Sequence, residues 1–298
     1  MRASIDIGSN SLLLLVQDDA GATMADIQNV VGLGKGMGPE RGLFRPDRME
    51  AAMAVLVTYA CKAREMGVAP AEVHAVATSA SRRAMNAPSF YAEVQKKTGL
   101  RVQVISGEEE ARFTWLGSVV GMDLPAGTTM VIDPGGGSTE VIAGEGRQIR
   151  SAVSLEVGTV RLTEQFLGYG AVSASDYAKL RAHVDATIAT LAVPSIPKAV
   201  VAVAGTATTL MALELGLSTY DAAKVHGGTL SVAALRKWID RLLAASPEER
   251  KALVAVSPGR ADTLLAGSTI LLRVLEQVRR QALRVSDRGL RHGVLAAK

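Results

Sequence analysis

Two kinds of hydrophobic pattern alternate along the chain. Short continuous apolar runs, bounded by glycine, proline or small polar residues, predict buried strands, while apolar positions spaced three and four apart predict helices. From residue 47 to residue 66, Met49, Met53, Leu56, Val57, Ala60 and Ala63 fall on one helical face, with Pro46 ahead of it and Gly67 behind. Residues 73–77 read as a buried strand ending in Thr78-Ser79-Ala80-Ser81-Arg82; a helix over residues 89–98 stops at Gly99, and residues 102–105 form the next strand. Ser106 and Glu109 have the spacing of a capping box, which starts a helix running to about residue 120. The second half continues in the same way, with strands near 129–133, 139–143 and 150–155 and helices near 159–167 and 174–191. A strand at 199–203 is followed by Gly205-Thr206-Ala207-Thr208-Thr209, which opens a helix. Residues 231–276 are mostly helical, and residues 283–286 lead into a last segment at 289–295.

Two stretches repeat one unit. Ile5-Asp6-Ile7-Gly8-Ser9-Asn10-Ser11 precedes the apolar residues 12–16, and Ile132-Asp133-Pro134-Gly135-Gly136-Gly137-Ser138 precedes Thr139-Glu140-Val141-Ile142. Both place Asp, Gly and Ser at the same offsets between two β-prone runs, which predicts a strand, a tight turn and a returning strand. The repetition implies two similar α/β domains, with residues 122–127 as the linker and an active-site cleft between the domains.

Composition narrows the chemistry. Aromatic residues make up only 4% of the 298, so the core is built from Ala, Val and Leu, as in a helix-rich α/β protein. Cys61 is the single cysteine, and the four histidines (His74, His183, His226, His292) have no metal-ligand spacing, which argues against zinc and leaves a hard cation on oxygen ligands. The apolar run at 12–16 is far shorter than the roughly 20 residues of a membrane span, and no basic leader opens the chain, so the cytoplasm is the expected location. A net charge of +4 means little by itself, although Arg279, Arg280, Arg284, Arg288 and Arg291 crowd the last segment and could attract a polyanion. Without aromatic interleaving or a recognisable module, a nucleic-acid reader is disfavoured.

An Asp at a strand end followed by glycines suits phosphate chemistry. Glycine lets the backbone approach an anion, successive N–H groups form a concavity for it, and the carboxylate orients water or a hydrated cation. A single such loop is also what an ordinary hairpin uses; two of them, joined by the Gly205 loop, favour a phosphate site. Glu140 is placed to activate water or bind a metal, or is a solvent-facing strand residue. Glu108-Glu109-Glu110 is an acidic helix start, and the pattern leaves open which of the three faces the site.

Further motifs stand in the same order: Ala77-Thr78-Ser79-Ala80-Ser81-Arg82 with Asn86, and Ile105-Ser106-Gly107-Glu108-Glu109-Glu110-Ala111-Arg112. After these come the Gly-Gly-Gly-Ser-Thr-Glu run ending at Glu140, then Ser154-Leu155 and Gly158 with Arg161-Leu162-Thr163. The tail adds Arg260-Ala261-Asp262, Ala266-Gly267 and Val285-Ser286-Asp287-Arg288-Gly289-Leu290-Arg291. Together they cover almost the whole chain, which resembles the exopolyphosphatase and guanosine pentaphosphate phosphohydrolase (Ppx/GppA) family of the actin, heat-shock protein and sugar kinase superfamily. The resemblance implies two actin-like (ribonuclease H-like) domains, residues 1–123 and 124–298. It also implies a Mg²⁺-dependent hydrolase, with Mn²⁺ as a substitute, that releases the terminal phosphate of polyphosphate or guanosine pentaphosphate, and a homodimer. By the same likeness Glu110 is the general base, Glu140 helps orient the water, and Asp133, Glu140 and Asp6 hold the metal. Asn10, Ser11, Gly135, Gly136, Gly137, Ser138, Thr139, Gly205 and Thr206 cradle phosphates, and Arg82 adds positive charge.

This chain departs from the family pattern in three places. Leu13 stands where many relatives carry a basic residue, His292 stands where Glu is commoner, and longer relatives continue into an extra helical domain that grips long polyphosphate. The expectation is therefore a preference for short chains. Two other readings share the same loops: a sugar or acetate kinase, distinguished by its need for an acceptor, and a non-catalytic polyphosphate or alarmone sensor.

Overall fold

In the computed structural model, which describes residues 1–37, 42–192 and 195–297, the first apolar run folds as a hairpin. Strand β1 (Arg2–Ile7) pairs antiparallel with β2 (Ser11–Gln17), and β3 (Thr23–Val30) continues the meander on the far side of β2. Next along the chain come α1 (Pro46–Glu65), β4 (His74–Ala77), the short α2 (Ser79–Arg83), α3 (Ala87–Thr98), β5 (Val102–Val104) and α4 (Gly107–Val119). Strands β4 and β5 join β1 in parallel, giving the order β3-β2-β1-β4-β5. Ile5, Ile7, Leu12 and Leu14 pack with Leu56, Tyr59 and Val94 from the helices into one core. Tyr59 reconciles its hydroxyl with burial by donating to Leu12 O at 2.8 Å.

The second hairpin opens an equivalent unit. It comprises β6 (Thr129–Pro134), β7 (Thr139–Glu145), β8 (Gln148–Leu155), α5 (Thr159–Leu162) running into a π-helical turn at Thr163–Leu167, α6 (Ala174–Ile188), β9 (Ala199–Ala202) and α7 (Ala204–Glu214). The rest of the unit is α8 (Ala222–Val225), β10 (Thr229–Ser231), α9 (Val232–Ala244), α10 (Pro247–Leu253), α11 (Leu264–Gln277) and β11 (Ala282–Val285). Its sheet runs β10-β11-β9-β6-β7-β8. Apart from the added edge strand β10, both sheets have one plan: an antiparallel meander of three strands, then two parallel strands beside the first of them. The repeat seen in the two loops thus extends to whole units.

Several local signals act as expected. Pro46 occupies the start of α1, Gly67 closes it at φ +81°, and Ser106 and Glu109 exchange both capping-box bonds at 2.9 and 3.1 Å. Strand β3 is not legible in the sequence: most of its residues are exposed, so neither an apolar run nor alternation marks it, and backbone bonds to β2 hold it. The five-residue α2 and three-residue β10 are too short to show a period.

The closing helix α12 (Leu290–Ala296) packs Leu290 and Val294 against Val76, Ile105 and Phe113. Gly293 is needed there, since a Cβ would stand 1.7 Å from Phe113 O. Ser4 Oγ donates to Arg291 O at 2.8 Å, and the Arg291 guanidinium grips both Asp26 oxygens at 2.9 and 2.7 Å. Contacts accordingly divide the chain into Met1–Gly117 with the tail from Leu290, and Ser118–Gly289. This division differs from two continuous stretches meeting at 123/124, because the tail returns to the first unit. Among the described residues, no helix is long and apolar enough to cross a membrane.

Candidate functional site

In the first unit, α4 sorts its three leading glutamates. Glu108 is exposed, Glu109 is used in the capping box, and Glu110, on the inner face of the first turn, is 7% exposed. Arg82 Nη1, from the last turn of α2, donates to Glu110 Oε2 at 2.6 Å and to Ile105 O at 3.1 Å. Arg82 therefore holds Glu110, a role that the motif alone does not indicate. Burial pushes the Glu110 carboxyl above the usual range, against the opposing pull of Arg82 and a hydrogen bond from Thr78, while the nearby Asp6 charge raises it further. A carboxylate shielded from water, anchored by one cation and poised to take a proton is what a general base requires.

Asp6 ends β1 opposite Leu13, and loss of hydration pushes its carboxyl up to about 6, with Arg291 working against the shift. The turn after it is closed by Gly8 N donating to Ser11 O at 3.0 Å. Ser11 is buried, and the Asn10 backbone carbonyl accepts from Val31 N and Gly32 N. The Asn10 side-chain Nδ2 is shielded from solvent and, among the described residues, donates to no acceptor, so the expected phosphate loop contains an unused donor.

In the second unit, Asp133 and Glu140 stand directly opposite each other on β6 and β7. Like charges at such a pair repel. Glu140 is 3% exposed, and its Oε1 accepts from Ser138 Oγ at 2.8 Å and Ser154 Oγ at 2.9 Å. Thr139 is turned inward, with its Oγ1 donating to Val157 O. Thr159 N donates to Gly135 O and Val160 N to Gly136 O, at 2.8 and 3.0 Å, so the start of α5 is clamped onto the loop. Gly158 allows this approach: a Cβ there would lie 2.3 Å from Gly137 C.

Gly205 and Thr206 open α7, whose N-cap residue Val203 provides no side-chain cap. Ala204 takes the left-handed conformation at φ +61°, unusual for a residue with a Cβ. The Arg260 guanidinium lies over Gly205, where a Cβ would fall 1.6 Å from Arg260 Cζ, and Gly267 leaves room for Thr206. The sequence motif containing Arg260 gives no hint of this placement, which depends on a 3-10 turn at Pro258–Arg260.

Asp6 belongs to the first unit and Asp133 and Glu140 to the second, and among the described residues no group of three or more His, Cys, Asp or Glu could hold a metal. Mg²⁺ does not need such a cage, because it keeps several waters and binds through one or two carboxylates plus substrate phosphates. The opposed carboxylates of Asp133 and Glu140 fit that demand: they are hard donors whose mutual repulsion a cation would relieve.

Residues 14–298 match the model of the Ppx/GppA phosphatase family. Exopolyphosphatase 2 of Mycobacterium tuberculosis is 32% identical over 98% of this chain and 96% of its own length. The Aquifex aeolicus PPX-GPPA enzyme structure is 35% identical, with a TM-score of 0.81 over 99% of this chain and 98% of that one. An exopolyphosphatase from Cytophaga hutchinsonii is 27% identical, with a TM-score of 0.87 over 99% and 96%. The family match, the identities and the shared fold over nearly the whole chain show that this chain belongs to the Ppx/GppA phosphatase family.

Proposed function

We propose that the chain is an exopolyphosphatase that hydrolyses the terminal phosphoanhydride bond of inorganic polyphosphate, preferring short chains. The observation that carries this reading is Glu110, buried, bonded to Arg82 and raised in proton affinity on the first turn of α4. Glu110 takes a proton from water as the water oxygen attacks the terminal phosphorus. The bond from that phosphorus to the bridging oxygen breaks, the oxygen and its electron pair stay with the shortened chain as leaving group, and the attacked phosphoryl group is released as orthophosphate. Arg82 keeps the base oriented through a charge-assisted bond. Asn10 offers its side-chain amide, and the 135–139 loop and the Gly205-Thr206 turn offer backbone N–H groups, to phosphate oxygens, while the Ser138 and Thr139 hydroxyls stay on Glu140 and Val157 O. Phosphoryl transfer rests mostly on such positioning and on charge neutralisation.

A divalent cation held through Asp133 and Glu140 would supply part of that neutralisation. Mg²⁺ is the proposed metal, with Mn²⁺ as a substitute, and the enzyme is taken to be a homodimer that works in the cytoplasm. The names of the similar enzymes support polyphosphate as substrate. The test is phosphate release from polyphosphates of defined length in Mg²⁺ buffer, with guanosine pentaphosphate in parallel. Release from polyphosphate without any acceptor is expected. Release from the nucleotide alone would transfer the assignment to the guanosine substrate, and release from neither would leave a binding protein.

A further inference from the structure

The stretch Gly32-Leu33-Gly34-Lys35-Gly36 follows β3 and has no part in the expected site. Its backbone is nevertheless attached to the first phosphate loop. Val31 N and Gly32 N donate to Asn10 O at 2.9 and 2.8 Å, and Gly34 N donates to Ser9 O at 2.8 Å. The two loops are in contact, since a Cβ at Gly34 would meet Ser9 Cβ at 3.2 Å and Ala80 Cβ at 3.3 Å. Gly32 and Gly36 both take positive φ, so the chain turns tightly over the Asn10 loop.

Three cationic side chains surround this turn. A Cβ at Gly32 would meet the Lys35 side chain at 3.6 Å and Arg48 Nη1 at 4.0 Å, and one at Gly36 would meet Arg45 Cδ at 3.0 Å. Arg48 Nη1 also donates to Val31 O at 3.2 Å. Asp47 is the acidic partner in the group, accepting from Arg45 Nε at 3.0 Å and Arg48 Nε at 3.1 Å. Lys35, Arg45 and Arg48 bring positive charge to the turn, and Asp47 brings negative charge. The arginine side chains reach solvent, at 57% and 35% exposure. The Asn10 loop to which this turn is bonded carries Nδ2, a donor shielded from solvent and, among the described residues, without an acceptor.

We infer that Lys35, Arg45 and Arg48 form a cationic rim that binds the second and later phosphates of a polyphosphate chain whose terminal phosphate lies at the Asn10 loop. The inference rests on the proposed polyphosphate substrate. It also accounts for how this chain tolerates Leu13, a position without charge at the neighbouring hairpin. Each exposed cation contributes little and is screened by salt, but a polyanion meets all three together. The rim therefore discriminates by length, gripping chains of several phosphates and giving orthophosphate no added hold.

The deciding measurement is calorimetric binding of polyphosphate of tens of units, in EDTA so that no turnover occurs, to wild type, Lys35→Glu/Arg45→Glu, Lys35→Gln and Lys35→Arg. Charge reversal should weaken binding at least about tenfold at low salt, and the loss should shrink as salt screens it. Lys35→Gln should lie between, and Lys35→Arg should bind like wild type. Circular dichroism reports whether each variant folds; Lys35→Gln keeps the test alive if charge reversal does not. Unchanged binding by folded Lys35→Gln and charge-reversed proteins overturns the rim, as does failure of wild type to bind the chain. Binding that responds to these variants in an enzyme that releases no phosphate would sink the proposed activity and retain the rim.

Discussion

In the proposed reaction Glu110 is the base. Glu110→Gln preserves its volume and a hydrogen bond to Arg82 but removes the base, so turnover should fall by ~10²–10⁴-fold with the fold intact. Phosphate release beside a melting curve checks both parts; wild-type turnover would move the base to Glu140. The raised proton affinity also has a sign. A base works deprotonated, so activity should be lost as pH falls through the raised value, placing the acid limb of kcat/KM above the ordinary carboxylate range of about 4.3. Asp6 affects stability instead. Its carboxyl titrates at about 6 when folded, against 3.8 for a carboxyl free in water, so between those values the folded chain holds more protons and stability falls as pH rises. Asp6→Asn should therefore gain on wild type in urea midpoint across that window in metal-free buffer and keep its advantage above pH 6; no gain would mean that other contacts of Asp6 outweigh its dehydration.

At the scale of elements, each hairpin loop is fixed by something outside it. The 135–137 loop is pinned by the start of α5 through Gly158, whose missing Cβ leaves space for Gly136 and Gly137 backbone. Gly158→Ala brings a carbon to 2.3 Å from Gly137 C, and neither backbone can yield cheaply. Overpacking of this kind costs typically ~1–3 kcal/mol, so a lowered melting temperature together with reduced phosphate release is expected. Wild-type stability and activity would show that the loop can move aside. In the first unit, α4 works differently: its capping box fixes where the helix starts, and that start point turns Glu110 inward while Glu108 stays in water.

For the whole molecule, metal removal and chain length are the informative variables. Treatment with EDTA should abolish phosphate release, and Mg²⁺ or Mn²⁺ should restore it, because hard oxygen donors suit these ions. Full activity without metal would count against Asp133 and Glu140 as its holders. Comparison of kcat/KM on tripolyphosphate with that on chains of hundreds of units should favour the shorter substrates, with intermediate lengths accumulating. Preference for the longest chains without intermediates would refute this and indicate a cationic path longer than the Lys35 rim.

Much of this molecule is local in origin. The two Asp-x-Gly-x-x-Ser hairpins, the Pro46 and Gly67 limits of α1 and the Ser106–Glu109 box are set by residues a few positions apart, so periodicity and turn chemistry reveal them. Strand β3 escapes because backbone pairing, not side-chain pattern, holds it. Which carboxylate is buried, what holds it and where the tail docks depend on partners tens to hundreds of residues away: Arg82 for Glu110, Arg260 over Gly205, α12 against Val76 and Phe113. The order of residues was enough to establish most elements, the repeated loops and the acidic and glycine residues that phosphate chemistry needs. Their burial, their charge balance and the contact between the Lys35 turn and the Asn10 loop arose only on folding, because burial and electrostatics are properties of surroundings and the surroundings come from distant parts of the chain.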